Sequence, residues 1–206
     1  MLTNFQIEDL APNMNIPLQG VYFKDTIGYD DLEEDKSYMI NLMDQEDEEG
    51  NSNPGSHWTC LHIGKVDNNV VPFYFDSYGV APPEDIKDVV KRKYGKKINY
   101  CKKNVQSIMS DACGFFCLAY LHFVNAFYDR TGNIFTDSAL FLDLFEDLDV
   151  SVDWLKNEFI LKLFFQEKGK PNIEGLGRKF DSAKANDITK TKTGITVPIE
   201  DVKLRN

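Results

Sequence analysis

Cysteine is scarce in this chain, with four in 206 residues, at positions 60, 101, 113 and 117. That is too few for a disulfide scaffold at this length. Cys113 and Cys117 stand four apart, a helical spacing rather than the two-residue gap of a zinc knuckle. No second Cys/His pair nearby completes a metal site, so neither a metal nor a cofactor is expected. Long apolar runs are missing as well. No stretch reaches the ~18 uninterrupted apolar residues of a membrane span. Met1 to Leu18 has neither the basic n-region nor the apolar h-region of a signal peptide. The expectation is a soluble protein made in the cytosol, with no membrane partner. Positive charge is also short: 23 Lys or Arg stand against 33 Asp or Glu, for a net charge of -10. From Glu167 to Asn206 there are nine basic and six acidic residues, giving +3 and leaving -13 on the first 166 residues. So acidic a body repels phosphate, which argues against nucleic acid as a partner.

Apolar residues make up 42 % of the chain, enough for one domain with a real core. Thr3-Asn4-Phe5-Gln6 has capping-box form and predicts a short helix that ends before Pro12. Gly20-Val21-Tyr22-Phe23 reads as a short strand or an extended segment, and Ser37 to Leu42 as a buried strand. Asp44 to Gly55 is an acidic loop containing Gly, Asn and Pro. His57 to Val66 alternates, with Trp58, Cys60 and His62 on one face and Thr59, Leu61 and Ile63 on the other. A turn at Asp67-Asn68-Asn69 joins it to a second strand, Val70 to Phe75, in a hairpin. Pro83 and Gly95 bracket a helix, with Pro83 at its first position. Ile98 to Val105 should return as a strand. Cys113 to Tyr128 is apolar almost all round and too long for a strand, so it predicts a central buried helix. Asp137 and Ser151 are N-cap candidates for helices over 138–147 and 152–166. After Gln166 glycines mix with Lys, Thr, Asp and Asn, and apolar residues become isolated. The expected organisation is a folded domain, 1–166, followed by a flexible basic tail, 167–206.

A thiol that attacks an amide must be partly thiolate, needs a base within reach and needs donors for the developing oxyanion. Cys113 opens the predicted central helix, where free backbone N–H groups and the helix dipole favour a thiolate. Gly114 lets another backbone approach. Taken alone, Cys113 also reads as one more small core residue. His57 opens a strand after Pro54-Gly55-Ser56, and Asp76 ends the partner strand. In a hairpin the two lie at the same end, where a carboxylate can fix the imidazole tautomer and stabilise imidazolium. Asp76 reads equally as a turn cap into Ser77-Tyr78-Gly79. Gln106, seven residues before Cys113, has an amide that could serve as a second oxyanion donor.

As a set, Gly55-Ser56-His57-Trp58, Tyr74-Phe75-Asp76-Ser77-Tyr78-Gly79, Gln106 and Asp111-Ala112-Cys113-Gly114-Phe115-Phe116-Cys117 resemble the adenovirus maturation protease (adenain) family, which belongs with the ubiquitin-like-protein proteases. The order of elements is similar over about residues 1–165, and the motifs are specific over 55–79 and 106–124. The resemblance implies an α+β fold with an antiparallel or mixed central sheet packed on a buried helix that carries the nucleophile at its N-terminus. It implies Cys113 as nucleophile, His57 as base and then acid, and Asp76 as the group orienting His57, where adenoviral enzymes carry Glu. Gln106 would lie in the oxyanion hole, and Trp58 and Gly114 would border the substrate. Cys60 and Cys117 fit core positions, and His62 and His122 match no role. Asn15-Ile16-Pro17-Leu18, Gly20-Val21 and Tyr38 to Leu42 look like the adenain-type proteases of mavirus-like virophages, Polinton-type elements and large DNA viruses.

That resemblance implies an endopeptidase of virus maturation that cleaves capsid protein precursors near glycine, in the host cytoplasm and the virion. One rival is a protease that removes a ubiquitin-like modifier. The other is a non-catalytic capsid-interaction module, which would need none of the four site residues. Ile173-Glu174-Gly175-Leu176-Gly177 fits a cleavage pattern of the adenoviral family and is followed by basic Arg178-Lys179. It suggests self-cleavage between Leu176 and Gly177, releasing a tail peptide that activates the body without the disulfide of its adenoviral counterpart.

Overall fold

The computed structural model describes residues 1–131 and 133–165. Among these the chain is α+β, with five helices and one five-stranded mixed sheet in the order β1-β2-β3-β4-β5. Strand β1 (Leu18–Phe23) runs parallel to β2 (Lys36–Asn41). Strands β2, β3 (Trp58–Val66) and β4 (Asn69–Phe75) are antiparallel neighbours. The short β5 (Asn99–Tyr100) pairs parallel with β4. The β3–β4 hairpin closes through Asp67 and Asn68, at φ 49° and 63°. Two consecutive left-handed residues match the right-handed twist of a hairpin, and Asp and Asn tolerate that conformation best after glycine.

Both faces of the sheet are buried, which explains why β3 alternates in direction but hardly in polarity. On one face Met39, Trp58, Cys60, Phe73 and Phe75 pack on α3 (Cys113–Thr131). Helices α1 (Asn4–Asn13), α4 (Ile134–Asp143) and α5 (Trp154–Leu163) close around this core. On the other face Tyr38, Ile40, Leu61, Ile63 and Tyr74 meet Ile86 and Val90 of α2 (Glu84–Tyr94). Aromatics fill the space between α3 and α4. Phe141 lies within 6 Å of the rings of Phe75, Tyr120, Phe123 and Phe145, mostly edge to face. Burying such a ring stabilises the fold by roughly 1.5–3 kcal/mol.

Several boundaries differ from those the sequence predicts. Helix α1 keeps its capping box, Thr3 with Gln6, but runs on through Pro12 to Asn13. The proline sits in the last turn, and the N–H groups of Met14 and Ile16 bond the Leu10 and Ala11 carbonyls. Pro83 is the N-cap of α2 rather than its first residue. Helix α4 is capped by Asn133, whose side chain accepts the N–H groups of Phe135 and Thr136, and this puts Asp137 inside the first turn, where it is buried. Helix α5 is capped by Asp153, not Ser151. The expected strand over 98–105 is cut to two residues. After Tyr100 the chain leaves β4, and Val105 and Gln106 bond the Ser77 carbonyl instead. The expected tail, 167–206, lies outside the described residues.

Candidate active site

The end of the β3–β4 hairpin brings His57 and Asp76 together. His57 precedes β3 directly, and its carbonyl accepts from Leu42 N at 3.0 Å. The loop before it is held by Asn41, the buried last residue of β2. Asn41 Oδ1 accepts the N–H groups of Met43 and Ser56, each at 3.1 Å. Gly55 lies against that amide at φ 85°, and a Cβ there would come within 2.6 Å of Asn41 Nδ2. Across the hairpin, Asp76 follows Phe75 and is almost wholly buried. Its Oδ1 lies 2.9 Å from His57 Nε2 and accepts the Tyr78 N–H at 2.8 Å.

Cys113 is the first residue of α3. Phe116 N–H donates to the Ala112 carbonyl, so the N–H groups of Cys113, Gly114 and Phe115 have no helical carbonyl behind them. The Cys113 sulfur accepts a long 3.5 Å bond from Trp58 N–H, next in sequence to His57. One turn further on, Cys117 Sγ donates to the Trp58 carbonyl at 3.3 Å. The four cysteines are free thiols, with Cys60 and Cys117 buried in the core.

The site's electrostatics set His57 apart from His62. Burial pulls the His57 imidazole down, but hydrogen bonds to Asp76 and Cys113 and the charges of both outweigh it, and its pKa is raised to about 9. With Nε2 on Asp76, Nδ1 is the nitrogen left for the thiol. His62 behaves in the opposite way: burial holds it down to about 4, with Nδ1 on Ser37 Oγ at 3.0 Å. His122 is buried with Nδ1 on the Met14 carbonyl at 2.7 Å.

Gln106 is buried behind this group and held at both ends. Its Oε1 accepts from Ser77 Oγ at 2.7 Å, and its Nε2 donates to the Ser110 carbonyl at 2.6 Å and to the Tyr78 hydroxyl at 3.2 Å. Trp58 is 4 % exposed, with its indole N–H on the Leu2 carbonyl at 2.8 Å. A Cβ on Gly114 would stand 3.2–3.3 Å from Leu2 and Trp58, so the close approach at Gly114 is made by the protein's own chain. Leu176 and Gly177 lie outside the described residues. Sequence reasoning did not find Asn41, Ser77 or Tyr78 as parts of the site. A polar residue closing the apolar run of β2 was the available signal for Asn41. Ser77-Tyr78-Gly79 was legible as a turn and as part of the motif after Asp76, but neither Ser77 nor Tyr78 was given a role of its own.

The arrangement places a thiol at a helix start, an imidazole beside it and a buried carboxylate behind the imidazole. Chemically, such a set can generate a nucleophile and return a proton to a leaving group. Among the described residues no cluster of three or more His, Cys, Asp or Glu could hold a metal ion, and no helix is long and apolar enough to cross a membrane. Neither the protein-family models nor the curated proteins include a match to this chain.

Proposed function

We propose that the chain is an adenain-like cysteine endopeptidase that matures virus particles by cutting capsid precursors beside glycine. The observation that carries this reading is the line Asp76–His57–Cys113, with a 2.9 Å carboxylate–imidazole contact and an imidazole whose pKa the carboxylate and the thiol raise to about 9. A binding scaffold has no use for a buried carboxylate aimed at a histidine beside a helix-start thiol.

In the proposed mechanism His57 holds the proton of Cys113, and Asp76 stabilises the resulting imidazolium. The sulfur attacks the scissile carbonyl carbon, an S–C bond forms, and the carbonyl π pair moves onto oxygen. The N–H of Cys113 and the donors organised by Gln106 stabilise that oxyanion. As the C=O re-forms, the C–N bond breaks and the amine leaves with the proton from His57. Water, deprotonated by His57, then hydrolyses the thioester and releases Cys113.

The test is incubation of the purified protein with capsid precursors from its own genome and, in parallel, with a ubiquitin-like precursor. Capsid cleavage that Cys113→Ala abolishes supports the reading. Cleavage of the ubiquitin-like precursor alone replaces it with the deconjugating enzyme. A Cys113 no more reactive than Cys60 toward a thiol probe, with no cleavage, leaves only the capsid-interaction module.

A further inference from the structure

The hydrogen-bond account of Gln106 is full. A primary amide has two N–H hydrogens. Here one lies on the Ser110 carbonyl at 2.6 Å and the other on the Tyr78 hydroxyl at 3.2 Å, while Oε1 takes the Ser77 proton. No N–H on this side chain remains free to donate elsewhere. The Tyr78 hydroxyl accepts from the amide, which leaves it one hydrogen of its own, and no described residue takes it. A hydroxyl that accepts a hydrogen bond also donates a stronger one. The chain Ser77 to Gln106 to Tyr78 therefore ends in a polarised O–H.

Tyr78 is held against His57 and Asp76. Its ring stacks on His57 at 4.7 Å between centroids and 24° between planes. Its backbone N–H is bonded to Asp76 Oδ1, the same oxygen that holds His57. One residue thus touches the carboxylate through its backbone, the imidazole through its ring and the Gln106 amide through its hydroxyl. The phenol also stays protonated in working conditions: burial raises it, as do the charges of Cys113 and Asp76, against a smaller opposing effect of the Gln106 bond.

We infer that Tyr78 is a catalytic residue whose hydroxyl donates the side-chain hydrogen bond to the oxyanion, with Gln106 as the positioning residue behind it. The inference rests on the cysteine-protease reading. Tyr78 transfers no proton. Its O–H shortens onto the carbonyl oxygen as the S–C bond forms and relaxes when the C–N bond breaks.

Tyr78→Phe isolates the hydroxyl, because it keeps the ring over His57 and the backbone bond to Asp76. Two measurements are made on the full chain. One is turnover of fluorogenic peptide amides with glycine beside the scissile bond. The other is alkylation of Cys113 by iodoacetamide, a displacement that forms no oxyanion. The expected result is a kcat lowered ~10²–10³-fold, the usual loss of one oxyanion donor, with KM and the alkylation rate within about twofold of wild type. Tyr78→Phe/Gln106→Ala should be no slower than the slower single variant, since both act through one hydrogen bond. Wild-type kcat in Tyr78→Phe, alkylation that falls in step with turnover, or losses that multiply in the double variant would each overturn the inference and leave the protease intact. Absence of any Cys113-dependent turnover in the wild type would remove the protease reading and the inference together.

Discussion

The two halves of the candidate site are built in different ways. His57 and Asp76 sit at one end of a hairpin whose strands share an unbroken antiparallel register, from Cys60 opposite Phe75 to Val66 opposite Asn69. Backbone hydrogen bonds fix that half, and the side chains ride on it. The other half, from Cys101 to Ala112, belongs to no strand or helix. It is held by the backbone bonds of Val105 and Gln106 to the Ser77 carbonyl and by the side-chain bond of Ser77 to Gln106, and its tip is exposed, with Ile108 87 % exposed and Met109 84 % exposed. A ladder tolerates the loss of any one side chain, whereas a segment pinned by a few polar contacts depends on each of them. The His57–Asp76 contact, which the proposed mechanism needs at a fixed distance, is at the end of the ladder.

The largest effect should come from the reacting pair. Cys113→Ala should remove turnover with little loss of stability, since the change is small for small at a buried position. His57→Ala should be equally inactive, and the double variant no slower than either, because base and nucleophile act as one unit. Kinetics on a precursor substrate, with a thermal melt as control for folding, measure both.

Asp76→Asn should cost less than His57→Ala but change the pH profile. A raised imidazole pKa stabilises the fold fully below pH 6.5, and that contribution is lost as pH rises through about 9. The rise corresponds to at most about 3 kcal/mol. Activity that needs the imidazolium should fail on the same alkaline limb. With the carboxylate gone, burial acts with less opposition, so the limb in kcat against pH should move down, and the decline of stability between pH 6.5 and 9 should flatten. An unmoved limb would mean that Asp76 does not set the charge of His57.

The smallest effect tests the pinned half alone. Gly79 has φ 73°, and a Cβ there would lie 2.4 Å from the Lys102 carbonyl oxygen. Gly79→Ala should destabilise the fold by about 1–3 kcal/mol through strain and overpacking. It should lower kcat more than it slows iodoacetamide at Cys113, because it displaces the segment that carries Gln106 and leaves the hairpin in place. Equal losses in both would show that the halves are not independent.

The contrast also accounts for what could be read in the sequence. The hairpin was legible because alternation over 57–75 and a short Asp/Asn turn are local signals, and the meeting of His57 and Asp76 follows from pairing alone. The start of α3 at Cys113 was legible from the length of its apolar run. The path of 98–105 was not. Its residues have strand character, but Gly79 lets Lys102 cross close by and Ser77 draws off the N–H groups of Val105 and Gln106, and both partners are more than twenty residues away. The parallel pairing of β1 with β2 likewise depends on where 24–35 leads the chain. The caps at Asn133 and Asp153 were missed because Asp137 and Ser151, a few residues away, are also good capping residues, and in α4 the burial of Ile134 and Phe141 favours the earlier start.

Trp58 has a mechanical consequence. Its N–H rests on Cys113 and its carbonyl receives Cys117, so one residue of the sheet grips two successive turns of α3. That is a two-point mount: it fixes both the height of the helix along the strand and its rotation about its own axis. Because His57 is the residue just before Trp58 in the chain, the sulfur and the imidazole are referred to the same point of the backbone. Their spacing is thereby set by one short stretch of backbone, much as two instruments bolted to one rail share one alignment.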